Sequence, residues 1–356
     1  MSPAKHYRLD DLRDWATRLV HGLGTPSHVA QAVSRNLVDA DAAGHVSHGL
    51  GMLPVYIDQI HDGSLIPAAE PELVSDQPGH IVVDGRHGFG HHTVEWALDI
   101  AVERARTHGL CAASLVRTGH VGRLGGYTLA AARRSCAALL CVGTIADRDD
   151  ALVAPPDGVE PMLGTNPISF AHPGDPPVVV DLATSALAYY DLVERGRRGE
   201  SVPPGTLKRG DGTQVTDASA IFEGSVMQPF GGYKGYGLSL MAGLLSGLGA
   251  DGHDTAVRGG FLLVIDVAGS VAPANAAEAL RTLRASATVP GCSHVSVPGD
   301  RSHLNQMRSR AAGIPLPDFL ERELAERRSH SRRSLVIPPL PSPIPALDGV
   351  PAQREP

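Results

Sequence analysis

Cysteine is scarce in this chain. Its four thiols, Cys111, Cys136, Cys141 and Cys292, show no C-x-x-C spacing, so no redox or metal-binding pair can be read from them. Cys111, Cys136 and Cys141 sit in apolar runs, where a thiol packs as a small hydrophobe, and a reducing cytoplasm is the expected location. Long apolar runs are missing too. The longest, from Gly237 to Ala250, is short and broken by glycines, which predicts a buried helix rather than a membrane span. The first residues, MSPAKHYRLDDLRDW, carry charges where a signal peptide needs an apolar core. Cations are not in excess: a formal net charge of −7 leaves no global surplus to exchange for the counterions of a nucleic acid.

Several familiar motifs are absent as well. Lys234 in GGYKGYG is followed by glycine, so the hydroxyl that a Walker A loop offers to magnesium is lacking. No G-x-G-x-x-G lies between a strand and a helix with an acidic residue downstream, so spacing alone does not indicate a dinucleotide. No G-x-S-x-G elbow points to a serine hydrolase. His45 and His48 are three apart and His91 and His92 adjacent, but without an H-E-x-x-H or cysteine–histidine set no metal is expected.

What is present is an ordinary globular balance, with 42% hydrophobic and 19% charged residues in a chain of 356, enough for one large core or two smaller ones. The first sixty residues read as helices. Leu9, Leu12, Ala16, Leu19 and Val20 follow a 3.6 period that stops at Gly22 or Gly24. Thr25 and Pro26 suggest a cap and first-turn proline before a stripe running from Val29 to Ala40. Ser47 reads as the cap of a third helix ending at Gly63. From about residue 75, strands and helices alternate. Strands are expected at 81–83, 112–116, 138–142, 178–182 and 261–267, with helices at 94–105 and 237–248 and another between the second and third strands. The strand at 178–182 is apolar enough to be covered on both faces. Residues 195–232 read as loops. The basic, proline-dense stretch from about Arg327 predicts a disordered tail. The expected division is a helical lobe over 1–75, an α/β body over 76–330 and a tail over 331–356.

Seventeen histidines against six phenylalanines leave position to decide which of them matter. His48 follows Ser47 at the expected start of a helix, where the dipole favours a neutral imidazole; it reads equally well as a surface residue beside a cap. His120 lies in RTGHVGRLGGY, directly after the strand ending at Val116, and loops leaving the carboxyl ends of α/β strands are where ligands bind. Arg123, three residues on, offers a planar fork for a carboxylate. A solvated arginine in a glycine-rich loop is the alternative.

Taken in order, the stretches DAAGHVSHGLGMLPVYIDQI, GHVGRLGGY, PMLGTNPISFAHP, VVVDLATSALAY, GGYKGYGLSLMAGLLSGL and VPGDRSHLNQMRSRAAGIPL resemble the malate/L-lactate dehydrogenase family unrelated to Rossmann-type enzymes. The resemblance runs from about residue 8 to about residue 328. It implies a mixed-sheet α/β fold with an N-terminal helical lobe, reduction of 2-oxo acids or cyclic imino acids with NADH or NADPH, and a homodimer. It places the active-site histidines at His48 and His120, with Ser47 beside them. It puts Asp181, Ala183, Thr184, Tyr233, Lys234, Gly299, Asp300 and Asn166 near the cofactor.

One position departs from many members, which carry an arginine four residues after the first histidine; here it is Met52. With Arg123 on the neighbouring loop, this resembles the hydroxycarboxylate dehydrogenase B subgroup and implies that the carboxylate anchor has moved to Arg123 while Met52 offers an apolar wall. The expected chemistry is interconversion of a 2-oxo and a 2-hydroxy acid, with His120 donating a proton from a pKa near working pH and His48 as its partner. Reduction of a cyclic imino acid is the alternative within enzymes. A catalytically silent binding protein is the alternative outside them, and both histidines together with Lys234 argue against it.

Overall fold

The computed structural model describes residues 5–147, 150–249, 257–316, 319–330 and 337–344. The apolar stripes of the first sixty residues become helices α1 (Leu9–Gly22), α2 (Ser27–Ala42) and α3 (Leu53–Asp62). Leu12, Trp15, Leu19, Val29, Val33 and Leu37 are fully buried where the stripes meet, as a 3.6 period with one apolar face requires. Helix α2 starts a residue later than Thr25–Pro26 suggests, with Pro26 as the extended capping residue. Ser47 does not cap α3. The chain makes two 3-10 turns, Val46–His48 and Leu50–Met52, before α3 opens with Pro54 in its first turn, where a missing N–H costs nothing.

The lobe's core is completed from the far end of the chain. Ile314, Leu320 and Leu324 are buried in it, and Ile337 and Leu340 pack against it. Strand β1 (His6–Tyr7) pairs with β12 (Ile314–Pro315), which follows α9 (Asp300–Ala312) and precedes α10 (Leu320–His330). Ile344 N donates to His6 O at 2.8 Å, and Trp15 Nε1 donates to Pro338 O at 2.9 Å. The expected disordered tail is thus corrected over 337–344: a few apolar side chains and one buried indole N–H suffice to seat it. Residues 331–336 and 345–356 lie outside the described residues.

The body is built on a seven-stranded mixed sheet. Its strands are β2 (Glu72–Gln77), β3 (His80–Asp84), β4 (Leu110–Val116), β5 (Cys136–Ile145), β6 (Ile168–His172), β7 (Val178–Leu182) and β11 (Val257–Asp266), in the order β2-β3-β4-β11-β5-β6-β7. Only β3 and β4 run parallel, and α4 (Gly90–His108) makes their crossover, as parallel neighbours require. Side chains alternate along each strand. Cys111, Ala113 and Leu115 of β4 therefore share a core with α4 and α5 (Leu124–Ala132), while Ala112 faces the other layer with Cys141, Phe261 and Ala242 of α7 (Tyr233–Ser246).

Three expectations are corrected here. Strand β7 is not covered on both sides but is the sheet edge, with Leu182 exposed. Helix α7 is not buried all round: Tyr233, Met241, Leu244 and Leu248, just past its end, form an exposed apolar stripe, because the sheet covers only its other face. The region expected as loops folds into α6 (Tyr189–Arg197) and a small sheet of β8 (Leu207–Lys208), β9 (Gln214–Val215) and β10 (Val226–Met227) around its own core. Helix α8 (Ala272–Arg284) follows β11. Among the described residues no helix is long and apolar enough to cross a membrane.

Candidate active site

The lobe and the body meet at a cluster of aromatic and imidazole rings. His120 is carried by the loop between β4 and α5, and His48 by the 3-10 turn after α2. Their rings stack at 5.7 Å between centroids with 24° between planes. Fold and loop thus join residues 72 positions apart in sequence. Ser47 Oγ lies 2.9 Å from His48 Nδ1, so Ser47 orients the imbedded ring instead of capping a helix.

Tyr56 and His91, neither expected in the active site, join the cluster, with Tyr190 edge-on to His120 at 6.4 Å. The Tyr56 hydroxyl, on α3, lies 2.8 Å from His120 Nδ1 and 3.4 Å from His91 Nε2. If its proton goes to His91, Tyr56 accepts from His120 Nδ1–H, which leaves His120 Nε2 free for a substrate. His91, in the first turn of α4, meets His120 edge-on at 6.2 Å. Gly122 makes this approach possible: its φ is +71°, and a Cβ there would stand 2.8 Å from His91 Nε2. Tyr56 falls at a helix-stripe position and His91 within a helix, so period alone reads both as core.

Behind His48, Asp41 Oδ2 accepts from Leu50 N at 2.8 Å. Asp41 presses so closely on Gly49 that an added Cβ would overlap its carboxylate. Burial pushes the Asp41 carboxyl up to about 7, against the pull of that hydrogen bond. Burial also pushes His48 down to about 4, helped by the Arg123 cation, and His91 down to about 3, helped by His48. His120 is held well below the usual range by burial, His48 and His91. The sequence expectation of a donor poised near working pH is therefore corrected for the free protein: these imidazoles are neutral, because no anion faces them and water is excluded.

Arg123 is buried at the start of α5, with Nε 3.4 Å from Asp181 Oδ2. That separation is beyond hydrogen-bond geometry at Nε, which finds no partner among the described residues. Asp181 also accepts from Gly125 N at 2.9 Å. Met52 is buried in the lobe core, one helical turn before Tyr56, so its side chain packs behind the cluster.

The remaining expected residues gather along the neighbouring edge of the body. Thr184 is buried, its Oγ1 donating to Thr165 O at 2.9 Å and Asn166 O at 3.0 Å. The Asn166 side chain is spent on structure: Oδ1 accepts from Thr144 N at 2.9 Å, and Nδ2 donates to Thr144 O and to Ser239 on α7. Phe230 N donates to Thr184 O at 3.0 Å, which brings the segment before Tyr233 and Lys234 against Thr184 and its neighbour Ala183. Tyr233 and Lys234 are exposed at the start of α7. Gly299, with φ +102°, packs on Val179. Asp300 accepts from Arg284 at 2.8 Å and from Val297 N at 2.9 Å.

Stacked imidazoles with a buried cation nearby have the chemistry to exchange a proton with an oxygen of an anionic molecule. Comparisons with known proteins identify the family. A family model described as malate/L-lactate dehydrogenase matches residues 7–325. The chain is 38% identical to the L-lactate dehydrogenase of Cupriavidus necator, over 67% of this chain and 70% of that protein. It is 30% identical to the Delta(1)-pyrroline-2-carboxylate/Delta(1)-piperideine-2-carboxylate reductase of Pseudomonas syringae pv. tomato, over 92% of this chain and 98% of that one. The crystal structure of malate dehydrogenase from Entamoeba histolytica superposes with a TM-score of 0.83 at 26% identity, covering 92% and 98% of the two chains. The chain belongs to the malate/L-lactate dehydrogenase family. It is an enzyme, an oxidoreductase of the 2-hydroxy acid dehydrogenase type on a mixed-sheet α/β fold.

Proposed function

We propose that the enzyme interconverts a 2-oxo acid and its 2-hydroxy acid with NADH or NADPH, His120 acting as the acid/base and His48 as its partner. The observation that carries this is the stack of two neutral imidazoles next to the buried guanidinium of Arg123. In the oxidising direction, neutral His120 takes the hydroxyl proton at Nε2 while Tyr56 holds Nδ1. In the reducing direction, His120 must first gain a proton. A substrate carboxylate arriving nearby favours that gain, since an opposite charge raises a histidine pKa. Arg123 holds this carboxylate through its planar fork while Asp181 keeps the guanidinium in place.

A nicotinamide cofactor, when bound, supplies or accepts the hydride at the substrate's 2-carbon. The residues present fit such a group. A groove of about 420 Å³ lined by Ala186, Pro203, Thr206, Gln228, Phe230 and Gly231–Gly232, open at both glycines, begins two residues along the chain from Thr184 and ends one before Tyr233. Ala183, Thr184, Tyr233 and Lys234 would hold the cofactor from this side, with Asp181, Asn166, Gly299 and Asp300 shaping the edge. A homodimer in the cytoplasm completes the proposal, supported by the apolar stripe along α7.

Cyclic imino acid reduction is the second reading, favoured by the similarity over 92% of the chain to a reductase so named. The test is oxidation of NADH and NADPH against pyruvate, oxaloacetate, phenylpyruvate, hydroxyphenylpyruvate and a cyclic imino acid. Turnover of at least one 2-oxo acid is expected. Turnover confined to the imine would transfer the assignment to the second reading, and none with any substrate would end both.

A further inference from the structure

On the outer side of the junction between lobe and body, three metal-ligating side chains converge from three separate elements. His28 stands in the first turn of α2, Glu70 in the connector before β2, and His92 in the first turn of α4. His28 Nε2 lies 2.9 Å from Glu70 Oε1, and His92 Nε2 lies 3.2 Å from Glu70 Oε2. The two imidazoles meet edge-on with centroids 5.1 Å apart. One ligand atom from each residue can be chosen so that all lie within 4.8 Å of one another, and among the described residues no other such trio occurs. The spacing is invisible in sequence, where 64 positions separate the two histidines, and so it escaped the motif reading.

We propose that His28, Glu70 and His92 form a binding site for a divalent transition-metal ion of the zinc class, which clamps the helical lobe to the body. Two imidazoles and a carboxylate suit zinc, cobalt or nickel and do not suit magnesium or calcium, which prefer all-oxygen ligands. Metal–nitrogen bonds of about 2.0–2.1 Å in tetrahedral geometry put ligand atoms ~3.3 Å apart. The nitrogen–oxygen separations here are within a few tenths of an ångström of that value. The ligand form of histidine is neutral. Glu70 supplies the negative charge that the ion needs. The His28 and Glu70 side chains are 59% and 45% exposed, whereas that of His92 is 16% exposed. The cup is therefore open on one side, which gives the ion an entry path and leaves its fourth position to water.

Without an ion the three residues are joined only by the His28–Glu70 and His92–Glu70 contacts, which add little to stability at partly exposed positions. With one, they tie α2, the connector and α4 together at a point one residue from His91. The clamp acts on stability and not on the proton transfer at His120.

The test uses the full chain, stripped of metal by a chelator. Titration with Co²⁺ should give the visible absorption of a tetrahedral cobalt site saturating at one equivalent. Zn²⁺ should displace it, Mg²⁺ should not, and Zn²⁺ should raise the melting temperature. His28→Gln and Glu70→Gln, both at exposed positions, should each weaken binding at least tenfold and abolish the Zn²⁺-dependent rise, with an unchanged circular dichroism spectrum. Absence of saturable binding up to millimolar Co²⁺ overturns the proposal. So does parental affinity in the His28→Gln/His92→Gln double variant, which would put the ion on other histidines.

Discussion

At the residue scale, the active site depends on a few polar contacts made by rings that are otherwise buried as hydrophobes. His120→Ala removes the proposed acid/base and should lower turnover by roughly 10²–10⁴-fold, measured by steady-state kinetics; a loss of only a few-fold would take His120 out of the mechanism. Tyr56→Phe keeps the ring and deletes one hydrogen bond to His120 Nδ1, so turnover should drop by about tenfold with little change in Michaelis constant. Arg123 requires a different readout. Replacing it with methionine removes the cation proposed to hold the carboxylate and should raise Michaelis constants for every accepted acid by roughly 10- to 100-fold. Because the change also strands Asp181, Arg123→Lys is the informative companion: it keeps a charge beside Asp181 but not the fork. Unaltered Michaelis constants in both variants would show that some other cation grips the acid.

Elements carry a second kind of information. The basic, proline-rich composition after Arg327 reads correctly as lacking a core of its own, yet Ile337 and Leu340 lie on the lobe's core and Pro338 accepts the Trp15 N–H. A short segment needs no core when another element leaves a seam open for it. Truncation after residue 330 should therefore lower the melting temperature, by about 3–5 °C if each of the two side chains contributes about 1–2 kcal/mol. Differential scanning calorimetry decides it, and an unchanged transition would mean that the segment adds nothing. Element by element, the amphipathic helices α1 and α2 and the strands β3, β4 and β5 are legible, since each has a face to bury. Strand β2 is not, because its residues are mostly exposed at the sheet edge and lack an alternating apolar pattern.

For the molecule as a whole, the exposed stripe on α7 has the character of a subunit contact. Leu244→Glu, at a side chain 60% exposed, should convert a homodimer into monomers in light scattering without unfolding the chain; a parent that is already monomeric would remove the dimer from the proposal. Protons act at the same scale. His45, held at about 3 by burial, the nearby cations Arg123 and Arg301 and the neighbouring His48, joins His48, His91 and His120 as imidazoles lowered in the fold. The unfolded chain binds more protons at these sites, so their contribution is complete above about 6.5 and is lost as pH falls toward 4 and 3. Asp41, raised from 3.8 to about 7, works the other way: its contribution is present at low pH and is lost as pH rises through 7. The histidines outnumber it, so the melting temperature should fall on acidification from pH 7 to pH 4.5, more steeply in Asp41→Asn. A flat profile in the parent would contradict the burial of the histidine cluster.

The chain's own order of residues determined its helical and strand periods, the family it belongs to and the loop that carries His120. These are local properties: a 3.6 or twofold alternation, or a run such as GHVGRLGGY, is complete within a dozen residues. What only the tertiary structure decided are the meetings of distant segments. Strand β11 enters between β4 and β5, although about 120 residues separate it from β5. Tyr56 and His91 join His48 and His120 from helices whose periodicity marks them as core. Arg123 meets Asp181 across 58 positions, and His28 meets His92 over Glu70. Such contacts follow from which apolar faces pack together, a property of the whole chain's burial that no local spacing records.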